Sequence, residues 1–243
     1  MIFSFCTTCM NRTEFLKQTI FKNLEIIETM NLKYKDKHEF ELSLCNYDSK
    51  DDLDEFVELD LKKNSTKNFV YTKVNNKVFF NVNHAKNIAH RHSNGDILIN
   101  LDADNFLTEE FVILIVELFE KNTDVITRGL FNESVEKSGS YGRIAMTRTN
   151  FYKVGGYNEK FENCSFGDED LCIRATRYLN LQIRYLHSDL LECIHHSTEL
   201  RTSNYRIKNR MESLNINVAC SDFYMENEIM NTNEYNKIEF GSI

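Results

Sequence analysis

The feature that most constrains the fold is a short apolar run that ends in acid. Ile97, Leu98, Ile99 and Leu101 form a nearly continuous hydrophobic stretch, and Asp102-Ala103-Asp104-Asn105 follows directly. A run of this length, rich in branched residues and closed by polar ones, predicts a buried central strand. In open α/β sheets, ligands bind beyond the carboxyl ends of such strands. Two carboxylates placed there are costly unless positive charge offsets them. A hard divalent cation shared with a phosphate group would do so, because such ions prefer oxygen ligands. The competing reading is a solvated acidic turn. A calcium loop of the helix-loop-helix type does not fit. Phe106 and Leu107 stand where that loop needs an oxygen ligand and a glycine, and Ile113 stands where it needs the glutamate.

The rest of the chain alternates strand and helix around this stretch. Ile2 to Thr7 reads as a first strand, and Thr13 as the N-cap of a helix whose stripe is Leu16, Ile20, Leu24 and Ile27. Phe40 to Cys45 and Phe69 to Val74 read as further strands, separated by a turn at 46–49 and a helix over 51–61. Asn83 to His92 predicts a helix leading into the acidic strand, and Thr108 caps the helix after it. This order predicts an α/β fold with a mostly parallel, Rossmann-like sheet flanked by helices. Past Asp124–Thr127 the chain becomes more polar. The segment from Asn132 to Tyr141 reads as a mobile lid loop, and 142–147 as a strand. An amphipathic helix carrying Leu171, Ala175, Tyr178 and Leu179 follows a second acidic cluster, Asp168-Glu169-Asp170. Strands are expected over 183–186 and 190–194, and a loosely held end from Met225.

The chain has 243 residues, 42% of them hydrophobic, enough for one large α/β domain with a sizeable core. A formal charge of −8 without a basic stripe argues against a nucleic-acid partner. No apolar run approaches the about 18 residues of a membrane span. The start, Met1 to Phe5, lacks the basic opening of a signal peptide. Seven cysteines, an odd number with no framework spacing, point to a reducing, cytoplasmic setting. Cys6 and Cys9 have the spacing of a redox pair, but the chain has no proline to supply the cis-proline that thioredoxin-like sites use, and no second pair completes a zinc site. Neither a Walker loop nor Gly-x-Gly-x-x-Gly is present, so a glycine loop does not cradle any phosphate.

Three groups are candidates to meet at one end of the sheet: Asp102 with Asp104, the 168–170 cluster, and a histidine from His195-His196. A carboxylate near a metal site but not bound to it can take a proton from a hydroxyl, while the metal offsets charge on a leaving diphosphate. These are the parts of a displacement on a nucleotide-activated sugar. The bland alternatives are a helix N-terminus lined with favourable acids and ordinary surface or core histidines.

The pattern resembles the metal-dependent glycosyltransferases of the GT-A fold, closest to the family-2 type. Phe5 to Arg12 is similar to the family's first strand and nucleotide-contacting turn, and Asp48 to its base-contacting aspartate. His84-Ala85-Lys86-Asn87 resembles the segment approaching the nucleotide sugar, and Asp96 to Asp104 the strand with the Asp-x-Asp motif. Residues 155–161 and 167–174 resemble the acceptor-side motif of galactosyltransferase-type enzymes, and His196-Ser197 their downstream metal-binding pair. The resemblance implies a single domain over 1–243, with a nucleotide-sugar half at 1–105, an acceptor-side half at 106–200 and a C-terminal extension at 201–243. It implies an inverting transferase using Mn²⁺ or Mg²⁺, a UDP-sugar donor and a glycan, protein or lipid acceptor. Asp102, Asp104 and His196 would be the metal ligands. Asp168 would be the base, with Glu169 as the alternative. Thr8, Asn11, Arg12, Asp48, Lys86, Asn87, Asp102, Gly156 and Asp170 would contact substrate. A non-catalytic nucleotide-sugar or glycan-binding module of the same fold is the other reading.

Overall fold

The computed structural model describes residues 1–64, 68–130, 141–161 and 163–228. β1 (Ile2–Cys9) leads into α1 (Thr13–Lys33), and β2 (Glu39–Tyr47) into a helical segment made of α2 (Leu53–Phe56), a π turn (Val57–Leu61) and α3 (Lys62–Asn64). Then come β3 (Phe69–Val74), α4 (Val82–His92), β4 (Ile97–Asn100), β5 (Asn105–Phe106), α5 (Glu109–Lys121) and β6 (Val125–Gly129). The second half carries β7 (Ala145–Thr147), α6 (Arg148–Val154), α7 (Gly167–Leu179), β8 (Gln182–Leu186), β9 (Glu192–Cys193), α8 (Thr198–Thr202) and α9 (Arg210–Glu226).

The main sheet has the order β3-β2-β1-β4-β7, parallel except for the antiparallel edge pair β4–β7. The chain winds one way from β1 to β3, then crosses back to lay β4 on the other side of β1. That reversal is a switch point, where a crevice opens beyond the strand ends. The register sets Cys6 beside Asn100, and the Leu101 amide donates to the Cys6 carbonyl at 2.9 Å. The β1–α1 turn and the acid-bearing turn after β4 are therefore neighbours.

Strand side chains alternate between the faces, as pleating requires. Phe3, Phe5, Ile97 and Ile99 pack with Leu16, Ile20, Phe111 and Ile115 of α1 and α5, whereas Leu98 packs with Met146, Phe151 and Leu171. Cys6 and Cys9, three positions apart on β1, consequently enter different clusters. Both are buried free thiols, pushed up to about 12 mainly by burial, which makes them poor nucleophiles.

Some boundaries differ from expectation. Thr13 does not cap α1. Arg12 holds that position without a side-chain bond, and the Thr13 amide donates to Asp51 Oδ2 at 3.0 Å instead. The strand expected over 190–194 is only Glu192–Cys193, because Ser188–Leu190 turns as a 3₁₀ helix. Thr108 caps α5 as expected, accepting from the Phe111 amide at 3.2 Å. The expected lid loop, apart from Tyr141, and the chain end beyond 228 lie outside the described residues. Among the described residues no helix is long and apolar enough to cross a membrane.

α6 and α9 follow no signal read in the sequence. α9 buries a polar face. Ser213 donates to the Cys164 carbonyl at 2.5 Å, Asn217 to the Ser165 carbonyl at 2.8 Å and Ser221 to Asp170 Oδ1 at 2.7 Å. It thus holds Ser165 and Phe166, two successive residues at φ 76° and 68°, in the turn that starts α7. Left-handed backbone at non-glycine residues is costly and persists where surrounding contacts fix it.

Candidate active site

A cleft of about 660 Å³ opens beyond the carboxyl ends of β1 and β4. Thr8, Arg12, Lys86, Asp102, Asp104, Asp168, Glu169 and His196 all line it. The two acidic motifs therefore face one space.

Asp102 and Asp104 sit on a tight turn, closed by the Asn105 amide donating to the Asp102 carbonyl at 2.9 Å. Asp102 Oδ1 accepts from the Asn100 side-chain amide at 3.1 Å. Asp104 is held on both oxygens, by Asn105 Nδ2 on Oδ1 at 2.7 Å and by His196 Nε2 on Oδ2 at 2.6 Å. His196 comes from the far end of the chain. β9 pairs with β5, and the Ile194 amide donates to the Asp104 carbonyl at 2.8 Å, which sets the histidine over the acidic turn. Arg12 Nη1 lies 3.2 Å from the same His196 nitrogen, and Arg12 Nη2 donates to the Leu200 carbonyl at 2.6 Å.

The electrostatics split the pair. Burial pushes the Asp102 carboxyl above its ordinary range; Lys86 opposes this, and Asp104 and Asp168 add to it. Burial acts the same way on Asp104, but the hydrogen bond and charge of His196, with Arg12 and Asn105, outweigh it and hold that carboxyl low. Asp104 is thus the better anionic ligand of the two.

Lys86 is buried and donates to Asp168 Oδ1 at 2.8 Å, with Asp102 Oδ1 at 3.9 Å. Burial alone would lower the lysine, yet Asp168, Asp102 and Asp104 together raise it, so it stays a cation. It also lies 5.0 Å from the centre of the Tyr157 ring. Glu169, one residue on in the first turn of α7, is engaged elsewhere. It forms an ion pair with Arg128, whose guanidinium stacks on Tyr141 at 4.1 Å.

The remaining expected contacts stand outside the cleft lining. The Asp170 carboxylate is 1% exposed and takes Arg174 Nε at 2.8 Å and Ser221 Oγ at 2.7 Å. Asn87 clamps the Tyr157 backbone, donating to its carbonyl at 2.9 Å and accepting from its amide at 2.8 Å. Gly156 serves the same turn. Its φ is +67°, and a Cβ there would lie 2.5 Å from Asn87 Oδ1. Asp48 accepts from Lys50 Nζ at 2.6 Å and from the Lys77 amide at 2.7 Å. Asn11, at φ 54°, ties its turn to the Lys50 amide at 2.6 Å and to Asn204 at 3.1 Å. Arg201, Asn204, Tyr205 and Arg210 also line the cleft and went unread in the sequence. They lie on irregular chain or on α8 and α9, where no periodic pattern marks them.

The donor set suits a divalent cation. Asp104 Oδ2 and His196 Nε2 lie 2.6 Å apart on the cleft wall, and carboxylate with imidazole is a set that Mn²⁺ accepts, whereas Mg²⁺ prefers oxygen alone. Among the described residues no group of three or more His, Cys, Asp or Glu side chains closes into a cage. An ion here would complete its shell from substrate oxygens and water.

Several solved structures share the fold. Residues 1–349 of S. aureus TarS superpose with a TM-score of 0.57 at 15% identity, covering 76% of this chain and 58% of that one. The mannosyltransferase PcManGT from Pyrobaculum calidifontis, in complex with GDP-Man and Mn²⁺, gives 0.62 at 13% identity, covering 80% and 57%. Glucosyl-3-phosphoglycerate synthase from Mycobacterium tuberculosis, with Mg²⁺ and UDP, gives 0.54 at 12% identity, covering 83% and 74%. The chain thus spans under three fifths of the length of the first two. No curated protein sequence matches it. Residues 4–180 match the model of glycosyl transferase family 2, and the chain belongs to that family.

Proposed function

We propose that this chain is an inverting glycosyltransferase that moves a hexose or N-acetylhexosamine from a nucleotide donor, a UDP-sugar, to a hydroxyl of a glycan, protein or lipid acceptor. The observation that carries this reading is the shared cleft, in which Lys86 joins Asp168 to Asp102 while Asp104, on the same turn as Asp102, meets His196. Nucleotide complexes of the fold relatives, UDP-GlcNAc in TarS and GDP-Man in PcManGT, support a nucleotide-sugar donor.

In this reading the acceptor oxygen attacks the anomeric carbon from the face opposite the diphosphate. The new C–O bond forms as the bond to the β-phosphate oxygen breaks, and that electron pair leaves with UDP. Asp168 takes the hydroxyl proton. Its Oδ1 is held by Lys86, which leaves Oδ2, the atom turned toward Gly142, to act as base. Asp104 and His196, with Asp102 beside them, would hold Mn²⁺ or Mg²⁺, which supplies positive charge against the departing diphosphate. Arg12 adds a fixed guanidinium beside His196, and Thr8 also lines the cleft.

The test is calorimetric titration of UDP with and without Mn²⁺. Wild type binds in a metal-dependent manner and Asp104→Ala does not; equal binding by the two proteins removes the reading. A binding module without catalysis is told apart by slow, Mn²⁺-dependent hydrolysis of UDP-sugars, which only a transferase site performs.

A further inference from the structure

Arg143 is among the largest fully buried side chains, 1% exposed, and it does not line the cleft. It precedes β7 and lies behind the acidic turn. Its Nη2 donates to Asn105 Oδ1 at 2.9 Å, and at longer range to the carbonyls of Phe106 (3.3 Å) and Glu192 (3.5 Å). Its guanidinium sits 4.9 Å from the centre of the Phe111 ring. Among the described residues, Nε and Nη1 have no hydrogen-bond partner. Burial pushes this guanidinium down to about 10, against the opposing pull of Asp102, Cys193 and Asp104.

For stability alone this is a poor choice. A buried cation with two unpaired nitrogens, three N–H bonds in all, costs more than an apolar chain packed on Phe111 would. What the charge touches gives it a purpose. Arginine can only donate, so the Asn105 atom facing it must be the amide oxygen. The Asn105 NH₂ is then forced toward Asp104, where it donates to Oδ1 at 2.7 Å. With Oδ1 occupied, Oδ2 is the oxygen left to face His196 and the cleft. Asn105 also anchors the turn from behind, its carbonyl accepting from Asn23 at 2.9 Å.

We propose that Arg143 is a positioning residue for the divalent-cation ligand Asp104, acting through Asn105, which it locks in one amide orientation. This rests on the reading of Asp104 as a ligand. The guanidinium contributes in two ways: it fixes the orientation of the carboxylate, and it places a permanent charge behind an acidic pair that must coexist at close range. Asn105 is hydrogen-bonded directly to the ligand and Arg143 stands one hydrogen bond behind it; losing a partner bonded to a metal ligand typically changes metal affinity by about 10–100-fold.

The test compares wild type with Arg143→Met and Arg143→Lys in two measurements: Mn²⁺-dependent UDP binding by calorimetry, and thermal unfolding without metal. The expected result for Arg143→Met is a melting temperature at or above wild type together with UDP binding weakened about tenfold or more in Mn²⁺. Arg143→Lys, which keeps a charge but loses the planar fork, is expected to fall between the two, and it carries the test if Arg143→Met does not fold. Wild-type affinity in the folded variant, or a lowered melting temperature with unchanged affinity, overturns the proposal and leaves a structural role. A wild type without Mn²⁺-dependent UDP binding overturns the parent reading, and this one with it.

Discussion

The Lys86 ammonium lies 2.8 Å from Asp168 Oδ1, so a buried cation on α4 grips the first acid of α7. The same nitrogen reaches Asp102 at 3.9 Å. Three carboxylates around one cleft would repel one another. Lys86 makes their coexistence possible and fixes Asp168 through one oxygen.

That arrangement separates Asp168 from Glu169. If Asp168 is the base, Asp168→Asn keeps the contact to Lys86 through its amide oxygen but has no basic atom. UDP binding is expected to stay near wild type while UDP-sugar turnover falls by about 10²–10⁴-fold. Glu169→Gln loosens Arg128 and Tyr141 and is expected to cost much less. Turnover that survives in the first variant and disappears in the second would reverse the assignment.

Glu169 also shows what the sequence could and could not say. The core was legible wherever a period was present: Leu16 and Ile20 on α1, Phe111 and Ile115 on α5, the run before Asp102. The Asp-x-Asp turn, the α7 acids and His196 were legible as residue types at particular places, and the fold brings them together. The division of labour among Asp168, Glu169 and Asp170 was not. Three adjacent acids in a helical first turn point about 100° apart, and only their partners Lys86, Arg128 and Arg174 distinguish them. Arg143 and α9 were illegible for a related reason. A buried arginine and a helix that hides Ser213, Asn217 and Ser221 run against the hydrophobic pattern on which sequence reading depends.

Asp170 is the structural member of that trio, and its loss should register as instability. Its side chain is 1% exposed and that of Arg174 0%. Arg174 also donates to the carbonyls of Val154 (2.6 Å) and Gly156 (2.8 Å), fastening the turn before α7. Asp170→Leu strands this guanidinium without its counter-charge, and breaking a buried pair from one side costs about 3–5 kcal/mol. Chemical denaturation is the measurement. A loss under about 1 kcal/mol, the range of an exposed pair, would show that Arg174 does not depend on Asp170.

Glu159 gives the fold a pH dependence. Burial pushes its carboxyl up to about 7, opposed by the hydrogen bond from Asn87 and by the charges of Arg91 and Lys77. The folded pKa is above the unfolded one, so the folded state binds the proton more tightly. The resulting stabilisation is complete below the unfolded value and is lost as pH rises through about 7. Glu159→Gln keeps an oxygen for Asn87 and cannot ionise. Its melting temperature is expected to match wild type at pH 4–5 and to exceed it increasingly toward pH 8. Parallel curves across that range would rule out the burial argument.

Gly142 is expected to control the position of the base without taking part in the chemistry. Its carbonyl accepts from Asn100 at 2.9 Å and from the Ile144 amide at 2.8 Å, so the backbone is fixed from two sides. A Cβ added there would lie 2.8 Å from Asp168 Oδ2 and 3.5 Å from Asp102 Oδ2. The nearest atom is the free end of a side chain, so Asp168 can swing aside and the fold survives. The atom displaced, however, is the oxygen assigned to take the proton, and a shift of about 1 Å in a reacting group can cost about 100-fold in rate. Gly142→Ala should therefore keep its melting temperature and its Mn²⁺-dependent UDP affinity near wild type while turnover falls by about 10–100-fold. Loss of UDP affinity in parallel would place the effect on Asp102 instead, and wild-type turnover would mean that Asp168 Oδ2 is not the atom that accepts the proton.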